Sequence, residues 1–159
     1  MPLTEVWLKK LETYINRHYK RAQYTMKRTA RRAKTREEEL EAAIKEKERF
    51  AEYFFALLAE KGLSDVEAYK KARIDRRMFS KIRSKKDYMP SKKTLLAFVI
   101  ALELNLDEAN ELLKHGGYYL SNTRKDDIII EFFLKRKCYD FDSINEALTR
   151  YGFPPLNGQ

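Results

Sequence analysis

Turn-forming residues are scarce in this 159-residue chain, which has five glycines and four prolines. An all-β fold needs far more of them, so sandwiches and barrels are excluded. A single cysteine, Cys138, cannot form an internal disulfide; it sits in an apolar helical pattern and reads as a core residue. The two histidines, His18 and His115, are far apart and have no Cys or His at ligand spacing, so no metal site is expected. Gly-rich phosphate loops, nucleophile elbows and Cys–His pairs are all missing, and neither an enzyme nor a cofactor is expected. No apolar run reaches about 18 residues. The N-terminal Met-Pro-Leu-Thr-Glu-Val-Trp is not a signal peptide, which makes the cytoplasm the expected compartment.

What the chain does contain is apolar material and positive charge. Hydrophobic residues make up 43%, with ten Tyr and nine Phe, enough for a core. Lys and Arg number 33 against 24 acids, a net charge of +9, which makes polyanions the first candidate partners. The excess is local. Between Arg17 and Arg36 there are nine basic residues and no acid; without them, 24 basic residues stand against 24 acidic ones. Lys27, Arg28, Arg31 and Arg32 in this arm are candidate nucleic-acid contacts. A membrane-surface helix would want a full Leu or Phe face, which Tyr19, Tyr24 and Met26 do not provide.

Periodicity and capping predict an all-α protein. Residues 3–20 read as an amphipathic helix with Thr4 as N-cap, Trp7 opening the apolar face, and Leu8, Leu11, Ile15 and Tyr19 along it. A long helix spans 35–61, polar and exposed in its first half, apolar at Phe50, Phe54, Leu57 and Leu58 in its second. Gly62 ends it, and Ser64 with Glu67 at capping-box spacing begins the next, over 64–72. Asp75 caps a helix to about Ser84, and Pro90-Ser91 opens one over 92–104. Asn105-Leu106-Asp107 starts another to Lys114, stopped by Gly116-Gly117. The last two cover 124–137 and 142–151, followed by a short Pro-rich tail. Asp126 and Asp127, an adjacent acid pair that could suggest acid–base chemistry, fall at a helix N-terminus, where acids are simply stabilising.

Residues 57–114 resemble the lambda-repressor-like, or XRE-type, helix-turn-helix family. The resemblance is carried by Lys61-Gly62-Leu63-Ser64 closing one helix and starting the next, and by Ala68, small inside the second helix. It continues with Ile74 in the turn, Ser80-Lys81-Ile82 in the recognition helix, and Pro90-Ser91-Lys92-Lys93-Thr94-Leu95 entering the next helix. It implies steeply crossed short helices with Phe79 and Ile82 anchored in the core. Arg76, Arg77, Ser80, Lys81 and Arg83 would then be free to enter a major groove, while Lys85, Lys86, Lys92 and Lys93 contact phosphates. It also implies a two-fold homodimer on duplex DNA. More loosely, residues 62–156 resemble a helical module at the C-terminal end of multidomain bacterial signalling and defence proteins, through the same stretches and Ile144-Asn145-Glu146-Ala147-Leu148. There the implied role is recruiting or DNA docking.

The expected architecture is therefore a basic helical arm over 1–49, a five-helix XRE-type core over 50–115, and a C-terminal helical extension over 116–159. The expected function is nucleic-acid binding, as a transcriptional regulator of a bacterium or phage. Two residues depart from the family pattern: Asp65 stands where Gln often donates to a phosphate, and Arg73 where the turn usually has glycine. They lean toward the alternative, a protein-directed inhibitor or adaptor. An example would be a phage inhibitor of a defence complex such as an anti-CRISPR, with the helix-turn-helix as scaffold and the arm competing for the nucleic-acid channel of a protein or ribonucleoprotein target.

Overall fold

The computed structural model describes residues 3–19, 36–85 and 88–157, and the side chains of all of these but 46–49. The expected arm contacts Lys27, Arg28, Arg31 and Arg32, and the expected phosphate contact Lys86, lie outside the described residues. Among the described residues there are eight α-helices and no strand: α1 Glu5–His18, α2 Arg36–Glu60, α3 Asp65–Lys71, α4 Arg76–Ser84, α5 Lys92–Ala101, α6 Leu106–His115, α7 Lys125–Lys135 and α8 Phe141–Arg150. None of them is long and apolar enough to cross a membrane.

Starts and stops follow local chemistry. Ser64 and Asn105 close full capping boxes with Glu67 and Glu108, and Thr4, Asp75, Ser91 and Asp140 each accept a first-turn backbone N–H. Six helices end the same way. The residue after the C-cap bonds three residues back and the next one five back, as in Leu63 N–H to Leu58 O and Cys138 N–H to Phe133 O. This closure needs positive φ. Gly62, Gly117 and Gly152 provide it without penalty, whereas Arg73, Glu103 and Lys137 adopt it as ordinary residues at φ 54°, 52° and 51°.

That difference explains where the helices stop. α5 ends at Ala101, short of the expected 104, because Glu103 turns left-handed and delivers Leu104 into the core. α7 ends at Lys135, short of the expected 137, and Cys138 lies half-buried in the following loop. Lys137→Gly should raise stability by about 0.5–1 kcal/mol, the left-handed penalty less the entropy glycine adds to the unfolded chain. Arg73→Gly should gain nothing, because it also removes the guanidinium that donates to Asp142 Oδ1 at 3.2 Å and lies 5.3 Å from the Phe141 ring centroid. Paired urea melts of the two variants check this contrast.

One hydrophobic cluster runs through all eight helices. Phe54, on the apolar half of α2, is its hub, with Phe50, Phe55, Phe79 and Phe98 in ring contact. Residues 36–45 of α2 stand in solvent, as their polar pattern predicts, but Leu40 (62%) and Ile44 (47%) are exposed with them. α1 packs on α7. Its Leu11 and Ile15 are buried, and Trp7 lies edge-on to Phe132 and stacked on Phe133, with centroids 5.7 and 6.0 Å away. The C-terminal tail is held too: Leu156 and Asn157 are buried, and Asn157 Nδ2 donates to Ala72 O at 2.7 Å, joining the end of the chain to the end of α3.

Candidate nucleic-acid interface

α3 and α4 are short helices joined by the left-handed turn at Arg73. Ala68 and Ala72 are fully buried on the inner side of this pair, where a larger side chain would hold the helices apart. Ile74 is half-buried in the turn, and Phe79 and Ile82 fix the inner face of α4. The inner anchors leave an outer face carrying Arg76, Arg77, Ser80 and Lys81, all exposed. Ser84 Oγ donates to Ser80 O at 2.8 Å, and Lys81 Nζ lies 5.9 Å from the Tyr88 ring centroid. No described acid pairs with Arg76, Arg77 or Lys81.

Two expected contact residues are tied up. Arg83 is not free on the outer face: its Nε and Nη2 donate to Asp65 Oδ2 and Oδ1 at 2.8 and 2.7 Å, and its guanidinium lies 3.9 Å from the Phe55 ring centroid. Planar guanidinium, bidentate acceptor and aromatic face together make it a clasp between α3 and α4. The same pair accounts for Asp65, since a carboxylate neutralised by Arg83 no longer repels a phosphate. Lys92 is likewise removed from the phosphate-contacting set. Its Nζ donates to Asp127 Oδ2 at 2.6 Å, and Asp127 is 2% exposed. Ser121 N–H donates to the same oxygen at 2.9 Å. Lys85 and Lys93 remain exposed on either side of the loop that follows α4.

Asp126, beside Asp127, binds Arg124 through both guanidinium donors at 3.2 and 3.0 Å, which raises the Arg124 pKa further. The two adjacent acids thus serve two ion pairs. Arg124 and Lys93 rim a small cleft of about 200 Å³ whose floor is Leu96, Ile130 and Phe153. His115, at the C-terminus of α6, binds Glu111 O through Nδ1 and stacks on Tyr53 at 3.9 Å. Among the described residues, no group of His, Cys, Asp or Glu is arranged to hold a metal ion.

Sequence reasoning missed Asp65 and Asp127 as partners of Arg83 and Lys92, and it passed over Lys9, Lys10 and Arg136. The first two pairs span 18 and 35 positions, beyond any local periodicity. Lys9 had a legible signal, because Lys9, Thr13 and Arg17 recur every four residues on one side of α1; Arg136, more than a hundred positions away, had none. Comparison with protein-family models, with curated proteins and with solved structures finds no match to this chain.

Proposed function

We propose that this protein binds nucleic acid, with duplex DNA as its main partner and α4 as its recognition helix, and that it acts as a transcriptional regulator of a bacterium or phage with a lambda-repressor-like, XRE-type core formed by α2–α6. The observation that carries this reading is the outer face of α4. Arg76, Arg77, Ser80 and Lys81 are exposed there, Asp65 on α3 is paired with Arg83, and Asp75 accepts the Arg77 N–H at the α4 N-terminus. Such a face offers Arg to guanine edges and Lys and Ser to phosphates. Lys85 and Lys93 flank it as further phosphate contacts.

Fluorescence anisotropy against random duplex DNA, single-stranded DNA and structured RNA, over a salt series, tests this. Arg76→Ala/Arg77→Ala is expected to weaken duplex binding by about tenfold or more. Failure of the wild type to bind any of the three at low salt would end the reading. The exposed Leu40 and Ile44 on the N-terminal half of α2 favour a second reading, a protein-directed inhibitor or adaptor, since apolar side chains there suit a protein partner. Under it, Arg28→Ala/Arg31→Ala/Arg32→Ala abolishes function and Arg76→Ala/Arg77→Ala leaves it intact.

A further inference from the structure

A second concentration of unpaired positive charge lies away from α4. Lys9, Lys10, Thr13, Tyr14 and Arg17 of α1 and Arg136, just after α7, line a groove of about 300 Å³. It has four cations and no acid in its lining. Lys9, Lys10 and Arg17 are exposed, and no described acid pairs with them. Arg136 is placed by its surroundings: Nη1 donates to Phe132 O at 3.3 Å, and the guanidinium lies 3.6 Å from the Phe132 ring centroid and 5.8 Å from that of Tyr14.

The floor and the neighbours keep the groove positive. Tyr14 packs edge-on to Phe132 at 5.4 Å with its hydroxyl shut off from solvent. Burial, the largest influence on it, raises its pKa, so it adds no negative charge at neutral pH. Glu131, the acid on the adjoining turn of α7, is taken by Lys135 at 3.2 Å.

The spacing suits one ligand class. At about 1.5 Å rise per residue, Lys9 to Arg17 spans about 12 Å. One strand of duplex DNA carries a negative charge about every 3.4 Å along the axis and winds around it at the same time, so at most about three phosphates fall within that length. Four cations meet that charge density.

We infer that the α1–α7 groove holds the phosphodiester backbone of one strand of a nucleic-acid duplex, as an anchorage separate from α4; this rests on the nucleic-acid reading above. The groove exists only where the N-terminal helix meets the C-terminal extension, so the two ends of the chain together make the site.

The test uses the full chain and random-sequence duplex DNA, with the slope of log K against log salt as the readout. Lys10→Gln/Arg17→Gln, both on the solvent side of α1, should lower the slope by about 2 and leave the thermal melt unchanged. Arg136→Gln, on the other wall, should lower it by about 1. A control, Lys45→Gln/Lys114→Gln, removes two exposed charges elsewhere and should leave it unchanged. An unaltered slope in the groove variants, with Arg76→Ala/Arg77→Ala still weakening binding, overturns the groove and leaves the nucleic-acid reading standing. An equal fall in the control overturns it as well, since bulk charge would then explain the effect. A wild type that binds no nucleic acid overturns both. Loss of binding in the groove variants with α4 variants unaffected supports the groove and removes α4 as the reader.

Discussion

Asp127→Ala is expected to cost the fold about 3 kcal/mol. The carboxylate is 2% exposed and one of its oxygens takes both the Lys92 ammonium and the Ser121 N–H. It thereby ties the first turn of α7 to the first residue of α5 and to the segment between α6 and α7. Breaking a buried pair from one side costs about 3–5 kcal/mol, because the surviving charge is left without a partner. The Lys92 side chain is 26% exposed, so its ammonium can turn toward water, which places the cost at the low end. Lys92→Met should cost about as much for the opposite reason: the carboxylate stays buried with the Ser121 N–H as its remaining donor among these partners. Lys92→Met/Asp127→Ala should then be less destabilised than the two singles predict, with a coupling of about 1.5 kcal/mol or more in a double-mutant cycle read from urea melts. Strictly additive costs would show that the two side chains do not act as a pair in solution.

That pair also marks where the sequence stopped being legible. Local chemistry was readable: Ser64, Asp75, Ser91 and Asn105 announce helix starts, and Gly62 and Gly117 announce stops. The same stop built on Arg73, Glu103 or Lys137 has no signature, because a charged residue in a left-handed conformation looks in sequence like any surface position. This is why α5 and α7 read too long. The outer face of α4 was legible since it is the complement of Phe79 and Ile82 on a nine-residue helix. Which of its cations are free was not, because Arg83 is answered from α3. The tail gave no hint of Asn157 at the α3 end, as a Pro-rich terminus carries no periodicity to say what it packs against. Nor did α1 announce its partner. Its apolar face was evident, but a face alone does not identify the surface it will cover.

For α1 that surface is α7, and Trp7→Ala should release it. The indole contacts Phe132 and Phe133, so its loss removes both ring contacts and leaves a void between α1 and α7. Truncating a buried Trp or Phe costs about 3–5 kcal/mol, and for the half-buried Trp7 about 2–3 kcal/mol is expected. A free helix of 14 residues is marginal in water, so an undocked α1 should melt and not merely detach. The circular dichroism signal at 25 °C would fall by the share of one such helix, before the main transition, while Trp7→Phe keeps most of the contact and most of the signal. The charge of the protein is unchanged by Trp7→Ala, yet Lys9, Lys10 and Arg17 would no longer be held against Arg136. Duplex affinity should therefore drop with α1 helicity, and the Arg76→Ala/Arg77→Ala effect should persist in the Trp7→Ala background. Binding that survived the loss of α1 helicity would mean that its cations act as an unstructured basic segment, and that the α1–α7 groove is not the place where the phosphates sit.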